Sequence, residues 1–281
     1  MAVLAVLAAA ALIAAPSTVP FELDRDGRIL VPVRIGTAGP FHFVLDTGSN
    51  ASAVSETLAR DLELSLVARS SVLSAGGTAF RGIARLRDVA VGTARARDVL
   101  ATVTPAEDLA VARHGIDGIL GQDFLRELHY TLDYRRQVLT WDDVAGTSAA
   151  DSPSGSVVLP LVPEDGRFVA ELAQSGGDEV LRLVPDSGAD SLVLFQRPSV
   201  RLPSMVSAGT PLRISGLTGE REARPFRLPL LRIGSLVLRN QTGVTVDRLE
   251  PDAPAVDGLL PLHGFSRVAF RGRERLLLVW P

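Results

Sequence analysis

The chain has 281 residues, 46% of them hydrophobic, and a formal net charge of −3. That length and composition allow one large core or two small ones, and the charge gives no electrostatic case for nucleic acid or an anionic membrane surface. All 29 basic residues are arginine and there is no cysteine, which excludes a P-loop or Schiff-base lysine, a pyridoxal-phosphate anchor, disulfides, thiolate metal sites and a cysteine nucleophile.

The N-terminus, MAVLAVLAAAALIAAPSTVPF, carries no charge before Glu22. Its apolar run from Ala2 to Ala15 is short for a membrane span of about 20 residues. It matches the hydrophobic region of a secretory signal, with small residues at Ala14 and Ala15, although a basic leader is missing. Residues 1–19 are therefore read as a signal peptide, with a weak membrane anchor or a buried N-terminal strand as alternatives. The expectation is an exported protein, periplasmic or secreted.

After this leader the chain reads mostly as β. Short runs rich in Val, Leu and Ile, bounded by Gly, Pro, Asp and Asn, mark strands at RILVPVRI (28–35), FHFVLD (41–46), ARLRDVAVG (84–92) and RQVLTW (136–141). Two short helices are expected. SETLARDL (55–62) has Ser55 as N-cap, and QDFLREL (122–128) has Phe124, Leu125 and Leu128 on one face. A glycine-marked hairpin is expected at LSAGGTAF (73–80).

The small, polar stretch DDVAGTSAADSPSGS (142–156) reads as a linker, separating an N-terminal lobe, 20–141, from a C-terminal lobe, 157–281. Beyond the linker, strands are read at RFVAELA, VLRLVPD, FRLPLLRIG, VTVDRL and RLLLVW, and a second hairpin at ISGLTGER (214–221). The second half repeats the first. DGRILVPVRI (26–35) returns as DGRFVAELAQ (165–174), FVLDTGSN (43–50) as LVPDSGAD (183–190), GIDGILGQDFL (115–125) as AVDGLLPLHGF (255–265) and VLTW (138–141) as LLVW (277–280). The offsets are 139 or 140 throughout, the pattern of two homologous lobes rather than of chance.

Each lobe thus drives an apolar strand into an acid followed by a hydroxyl residue and glycine, Asp46-Thr47-Gly48 and Asp186-Ser187-Gly188. Packed about a pseudo-twofold axis, such lobes bring Asp46 and Asp186 together. Two adjacent carboxylates cannot both ionise cheaply, so one keeps a proton, and the pair can deprotonate a water and protonate a leaving group. Gly48 and Gly188 clear space beside the acids, and Thr47 and Ser187 can cross-brace the two loops. Ser49 can donate to Asp46 where its mate Ala189 cannot, so Asp46 is expected to be the more readily ionised member. Asp117 and Asp257 also repeat and read as loop-capping acids; Asp123, Asp133 and Asp190 read as surface. The histidines, 42, 114, 129 and 263, form no ligand cluster, so neither metal nor cofactor is expected.

With these motifs the chain resembles the aspartic proteases of the retropepsin and pepsin clan. The segments IDGILGQDFLREL and LDYRRQVLTW resemble the C-terminal half of bacterial retropepsin-like aspartyl protease domains, in which Ile119-Leu120-Gly121 threads behind the catalytic loop. The resemblance implies a mainly β, bilobal fold with a cleft between the lobes, Asp46 and Asp186 at its floor and hairpin flaps above. It assigns flap and substrate-binding roles to Ser74, Ala75, Gly76, Gly77 and Thr78, and to Ser215, Gly216, Leu217, Thr218 and Gly219. Pro185, before the second acid, and Pro261, in place of the glycine matching Gly121, depart from the family pattern. The implied activity is endopeptidase action on an extended polypeptide, without nucleic acid, metal or cofactor. One chain supplies both acids, so a monomer is expected. A non-catalytic peptide-binding module is the alternative, and a glycoside hydrolase is disfavoured by the scarcity of aromatic platforms.

Overall fold

A computed structural model describes residues 17–74, 77–109, 115–142, 154–173, 180–196, 205–216, 219–247 and 256–281. The strand that leads into the first acid loop shows how the fold is built. Ala38–Leu45 is exposed or half-buried at its start but ends in three consecutive buried residues, Phe43, Val44 and Leu45. Burial on both faces marks a central strand, and these three residues pair in parallel with Gly118–Leu120. The Asp46 amide extends the ladder by donating to the Leu120 carbonyl at 3.0 Å. The second lobe repeats the arrangement, with Val180–Asp186 parallel to Gly258–Pro261.

The two lobes share one strand order. In the first it runs Ile29–Ile35, Ala38–Leu45, Gly118–Leu120, Ala53–Ser55, Ala94–Thr104 and Gly77–Val91. In the second it runs Arg167–Ala173, Val180–Asp186, Gly258–Pro261, Leu192–Gln196, Leu236–Asp247 and Gly219–Ile233. The mainly β, two-lobed architecture read from the repeat is the one observed. Asp117 and Asp257 play matched parts in it, accepting the amides of His42 and Arg182 at 2.8 Å in each case, which bears out their reading as capping acids.

Beneath both lobes lies a sheet to which each contributes. Its order is Ser17–Pro20, Val138–Trp141, His129–Asp133, Arg267–Arg271, Leu276–Trp280 and Val157–Glu164. The central pair, His129–Asp133 against Arg267–Arg271, crosses from one lobe to the other with Leu132 opposite Val268. Tyr130 stacks on Phe270 across that seam with ring centroids 5.0 Å apart, and Trp141 meets Tyr130 edge-on at 5.8 Å. One apolar core therefore runs through both lobes. Trp141 and Trp280 end equivalent strands and are both buried, Trp141 in that core and Trp280 in a smaller cluster with Ala269 and Leu278.

Several boundaries differ from the sequence reading. Ser17–Pro20, placed before the lobe boundary read at residue 20, belongs to the folded body, because it pairs with Val138–Trp141 and buries Val19. Residues 1–16 lie outside the described residues. Asp142 belongs to the body, not the linker, since its carboxylate accepts from Thr131 Oγ1 at 2.9 Å and Arg271 Nη1 at 2.8 Å. The helix at 56–61 is capped by Ser55 as expected, its Oγ accepting the Leu58 amide at 3.0 Å. The helix read over 122–128 stops at Leu125, because the chain must turn there to start His129–Asp133. A further short helix, Ala106–Leu109, was not expected.

Candidate active site

The two acid loops meet at the centre of the molecule, with a hydrogen bond linking the Asp46 and Asp186 carboxyl groups. Each carboxylate is held from below by its own loop. Asp46 Oδ1 accepts the amides of Gly48 and Ser49, both at 2.9 Å. Asp186 Oδ1 accepts those of Gly188 at 2.7 Å and Ala189 at 3.1 Å. The glycines allow the acids to approach. A Cβ on Gly188 would lie 2.7 Å from Asp46 Cγ, and one on Gly48 would collide with the Asp186 carboxyl.

Thr47 and Ser187 brace the loops against each other, as the residue types suggested. Thr47 Oγ1 donates to the Pro185 carbonyl at 2.8 Å and accepts the Ser187 amide at 3.0 Å. In mirror fashion Ser187 Oγ donates to the Leu45 carbonyl at 2.6 Å and accepts the Thr47 amide at 3.1 Å. Both side chains are buried, so each bond holds without competition from water. Neither proline departure displaces the second acid. Pro185 serves through its carbonyl, and Pro261 lies opposite Asp186 in the parallel pairing.

Burial raises the pKa of both acids above the ordinary 3.8, and the second is moved further. For Asp46, the hydrogen bond from Asp186, the two loop amides and the nearby charge of Arg167 pull the value partway back. For Asp186, burial is reinforced by the Asp46 charge, and its carboxyl is held well above the usual range. The site thus favours an ionised Asp46 beside a protonated Asp186. The direction matches expectation but its cause does not. Ser49 Oγ donates to the Ala51 carbonyl at 2.8 Å, not to Asp46, so the difference arises chiefly from how the pair shares its proton and, to a lesser degree, from the charge of Arg167.

Both acids open onto a cleft of about 1080 Å³ between the lobes. That volume exceeds the usual range for small-molecule pockets and suits an extended chain. The hairpins approach it from either side. Leu66–Ser74 pairs with Gly77–Val91, with Ser74 opposite Gly77 and Leu73 opposite Thr78. Leu212–Gly216 pairs with Gly219–Ile233, with Ser215 opposite Glu220 and Gly216 opposite Gly219. The tips, Ala75 and Gly76 in one hairpin and Leu217 and Thr218 in the other, lie outside the described residues. Val72, Leu212 and Ile214, nearer the hairpin stems, line the cleft, whereas Thr78 is exposed. Among the described residues no group of three or more His, Asp or Glu side chains is placed to hold a metal.

Gln122 was not singled out from the sequence. It is fully buried, and its Nε2 donates to the Thr47 carbonyl at 2.7 Å, fixing the back of the first acid loop. Its repeat mate is Leu262, so the repeat logic that finds the acids passes over it. Asp123, read as surface, is exposed yet anchors the same region, accepting Ser52 Oγ at 2.7 Å and the Ser52 amide at 3.0 Å.

Paired β lobes with matched acid loops and a shared basal sheet define the bilobal acid-protease fold. A family model for aspartyl proteases matches residues 31–124 and 173–262, more than half of the chain, with one match in each lobe. The chain belongs to that family. Its fold is similar to that of conglutin gamma, a basic 7S globulin from lupine seeds, at a TM-score of 0.52 and 12% identity over 94% of each chain. Comparison with curated proteins finds no match.

Proposed function

We propose that this chain is an aspartic endopeptidase that hydrolyses extended polypeptides with a water activated between Asp46 and Asp186. The observation that carries the reading is the carboxyl pair itself, hydrogen-bonded across the lobes and open to a cleft of peptide-binding size. Ionised Asp46 takes a proton from the water as its oxygen attacks the peptide carbonyl carbon, and Asp186 gives its proton to the carbonyl oxygen. The tetrahedral diol then collapses. Asp46 returns its proton to the leaving nitrogen while Asp186 recovers one from a diol hydroxyl, which restores the starting state. Substrate backbone would lie between the hairpins as an added strand. With both acids on one chain the active unit is a monomer, and the apolar run from Ala2 to Ala15 supports export to the periplasm or the medium.

A second reading is a non-catalytic peptide-binding module, since one fold serves unrelated functions and this one is also that of a seed globulin. One assay separates the two. Unfolded polypeptides are incubated with wild type, Asp46→Ala and Asp186→Ala across pH, with and without a transition-state peptide mimic. Cleavage by wild type, blocked by the mimic and lost in both variants, is expected. The rate should fall at low pH as Asp46 protonates and at high pH as Asp186 ionises. Peptide retention without cleavage at any pH would transfer the chain to the second reading.

A further inference from the structure

The repeat that creates the acid pair also creates a pair of arginines, and the two have different surroundings. Arg28 and Arg167 occupy equivalent positions two residues into the matched segments DGRIL and DGRFV, and both line the cleft. Arg28 is neutralised. Its Nε donates to Asp24 Oδ2 at 2.9 Å and its Nη2 to Asp26 Oδ2 at 3.1 Å. The position matching Asp24 in the second lobe is Pro163. Glu164, beside it, is taken by Arg182. Arg167 is left without an ion pair among the described residues, and its Nε is buried with no hydrogen-bond partner.

The other cleft arginines are accounted for. Arg25 meets Asp26 at 3.5 Å and Arg213 meets Glu220 at 3.1 Å. Arg167 is therefore the unpaired cation of the described cleft wall. Its turn docks on the loop that carries the first acid, where Asn50 Nδ2 donates to the Asp165 carbonyl at 3.3 Å. Asn50 is neutral where its repeat mate, Asp190, is acidic, so apart from Asp46, on which the Arg167 charge acts without forming an ion pair, that loop offers Arg167 no acid from this position. A partly desolvated guanidinium with open donors is a strong receptor for a carboxylate, because its fork offers parallel hydrogen bonds and its charge is weakly screened.

We propose that Arg167 is a specificity-determining residue of the cleft that binds a carboxylate of the polypeptide, either an Asp or Glu side chain near the scissile bond or the free C-terminus of a short chain. The proposal rests on the reading of the cleft as a polypeptide site. Arg28, already paired with two aspartates, offers no equivalent receptor, so the preference is one-sided.

The test uses one peptide scanned with Glu, Gln or Lys at each position around the cut, each made with a free and an amidated C-terminus. The proteins are wild type, Arg167→Met, which keeps the apolar stem, Arg167→Lys, which keeps the charge, and Arg167→Glu. Thermal unfolding checks that each variant folds. Ratios between peptides are taken at one pH for each protein, which cancels any change in the ionisation of Asp46. Wild type should prefer Glu over Gln at one position, or a free over an amidated end, by about tenfold in kcat/KM. The ratio should fall to one in Arg167→Met, survive in part in Arg167→Lys and turn towards Lys peptides in Arg167→Glu. It should also shrink as salt rises. A Glu-to-Gln effect identifies a side-chain carboxylate and an end effect the terminal one. Ratios unchanged between wild type and Arg167→Met would overturn the proposal. If wild type cleaves none of the peptides, the endopeptidase reading fails separately, and fluorescence anisotropy of the labelled peptides decides this one. Tighter binding of carboxylate peptides by wild type than by Arg167→Met upholds it, and equal or no binding ends it.

Discussion

The two acid loops have nearly superimposable hydrogen bonding in front and different chemistry behind. In the first lobe the support is polar. Gln122 holds the Thr47 carbonyl, and Ser52 accepts the Gly121 amide at 3.1 Å while donating to Asp123. In the second lobe the matching residues are Leu262, Leu192, Pro261 and His263. The change from Gly121 to Pro261 removes a buried donor, and the change from Ser52 to Leu192 removes its acceptor. Deleting both partners of a buried hydrogen bond is close to neutral, whereas deleting one is costly. This is why a proline that reads as damage in the sequence leaves Asp186 in place. The front of each loop positions a carboxyl; the back needs only to be filled, with either chemistry.

The sharpest way to break this symmetry is at the glycines. Gly48→Ala thrusts a methyl into the Asp186 carboxyl, and Gly188→Ala thrusts one to 2.7 Å from Asp46 Cγ. Each should force the acids apart, and kcat/KM should fall by about a hundredfold or more, since displacements near 1 Å have that effect. Equal losses would show that both acids need the same closeness. An active Gly188→Ala enzyme, read in a peptide-hydrolysis assay, would show that Asp46 tolerates movement that Asp186 does not.

The brace comes next. Thr47→Val leaves the Ser187 amide and the Pro185 carbonyl unpaired in a buried place, and Ser187→Ala does the same to the Thr47 amide and the Leu45 carbonyl. Each variant should lose about 2–3 kcal/mol in denaturant unfolding. Similar values are expected because the brace is reciprocal; a gap larger than about 1 kcal/mol would mean that one hydroxyl carries it.

The pH dependence of stability probes the acids themselves. Both have folded-state pKa values raised from 3.8, so between that value and the raised one the folded chain binds more protons than the unfolded chain. Stability must therefore decline as pH rises through that interval, and Asp186, the more strongly raised, contributes more of the decline. Asp186→Asn removes its share. Thermal unfolding of this variant should fall less steeply from mildly acidic to neutral pH than wild type, and less steeply than Asp46→Asn. Parallel curves for all three would contradict the assignment of the proton to Asp186.

What could be read in advance follows the same division. Asp46, Asp186, Thr47, Ser187 and the capping pair Asp117 and Asp257 were legible because the repeat states each of them twice, and each acts through its counterpart or in the same way in both lobes. The Ser55 cap was legible because capping is local. The shared basal sheet was not, because the pairing of His129–Asp133 with Arg267–Arg271 joins two strands that look alike and lie far apart in the chain. Ser49 misled because a hydroxyl next to an acid suggests a bond to it, whereas local geometry turns it to the Ala51 carbonyl. Gln122 and Arg167 escaped notice because their roles come from where the repeat fails, at Leu262 and Pro163.

Gln122→Leu copies the second lobe's solution into the first, and it should have the smallest effect. The substitution strips the Thr47 carbonyl of a donor at 2.7 Å, which is unfavourable. It also removes a buried side-chain oxygen, Gln122 Oε1, that has no partner among the described residues, and it adds apolar surface of similar size. These terms oppose each other, so a net loss of about 1 kcal/mol is expected, a shift of a few degrees in Tm. Since Thr47 and Ser187 still lock the front, kcat/KM should change only a few-fold. A loss as large as that of Thr47→Val would mean that the first loop depends on its polar backing, and that the two acids are held by different means despite their matching faces.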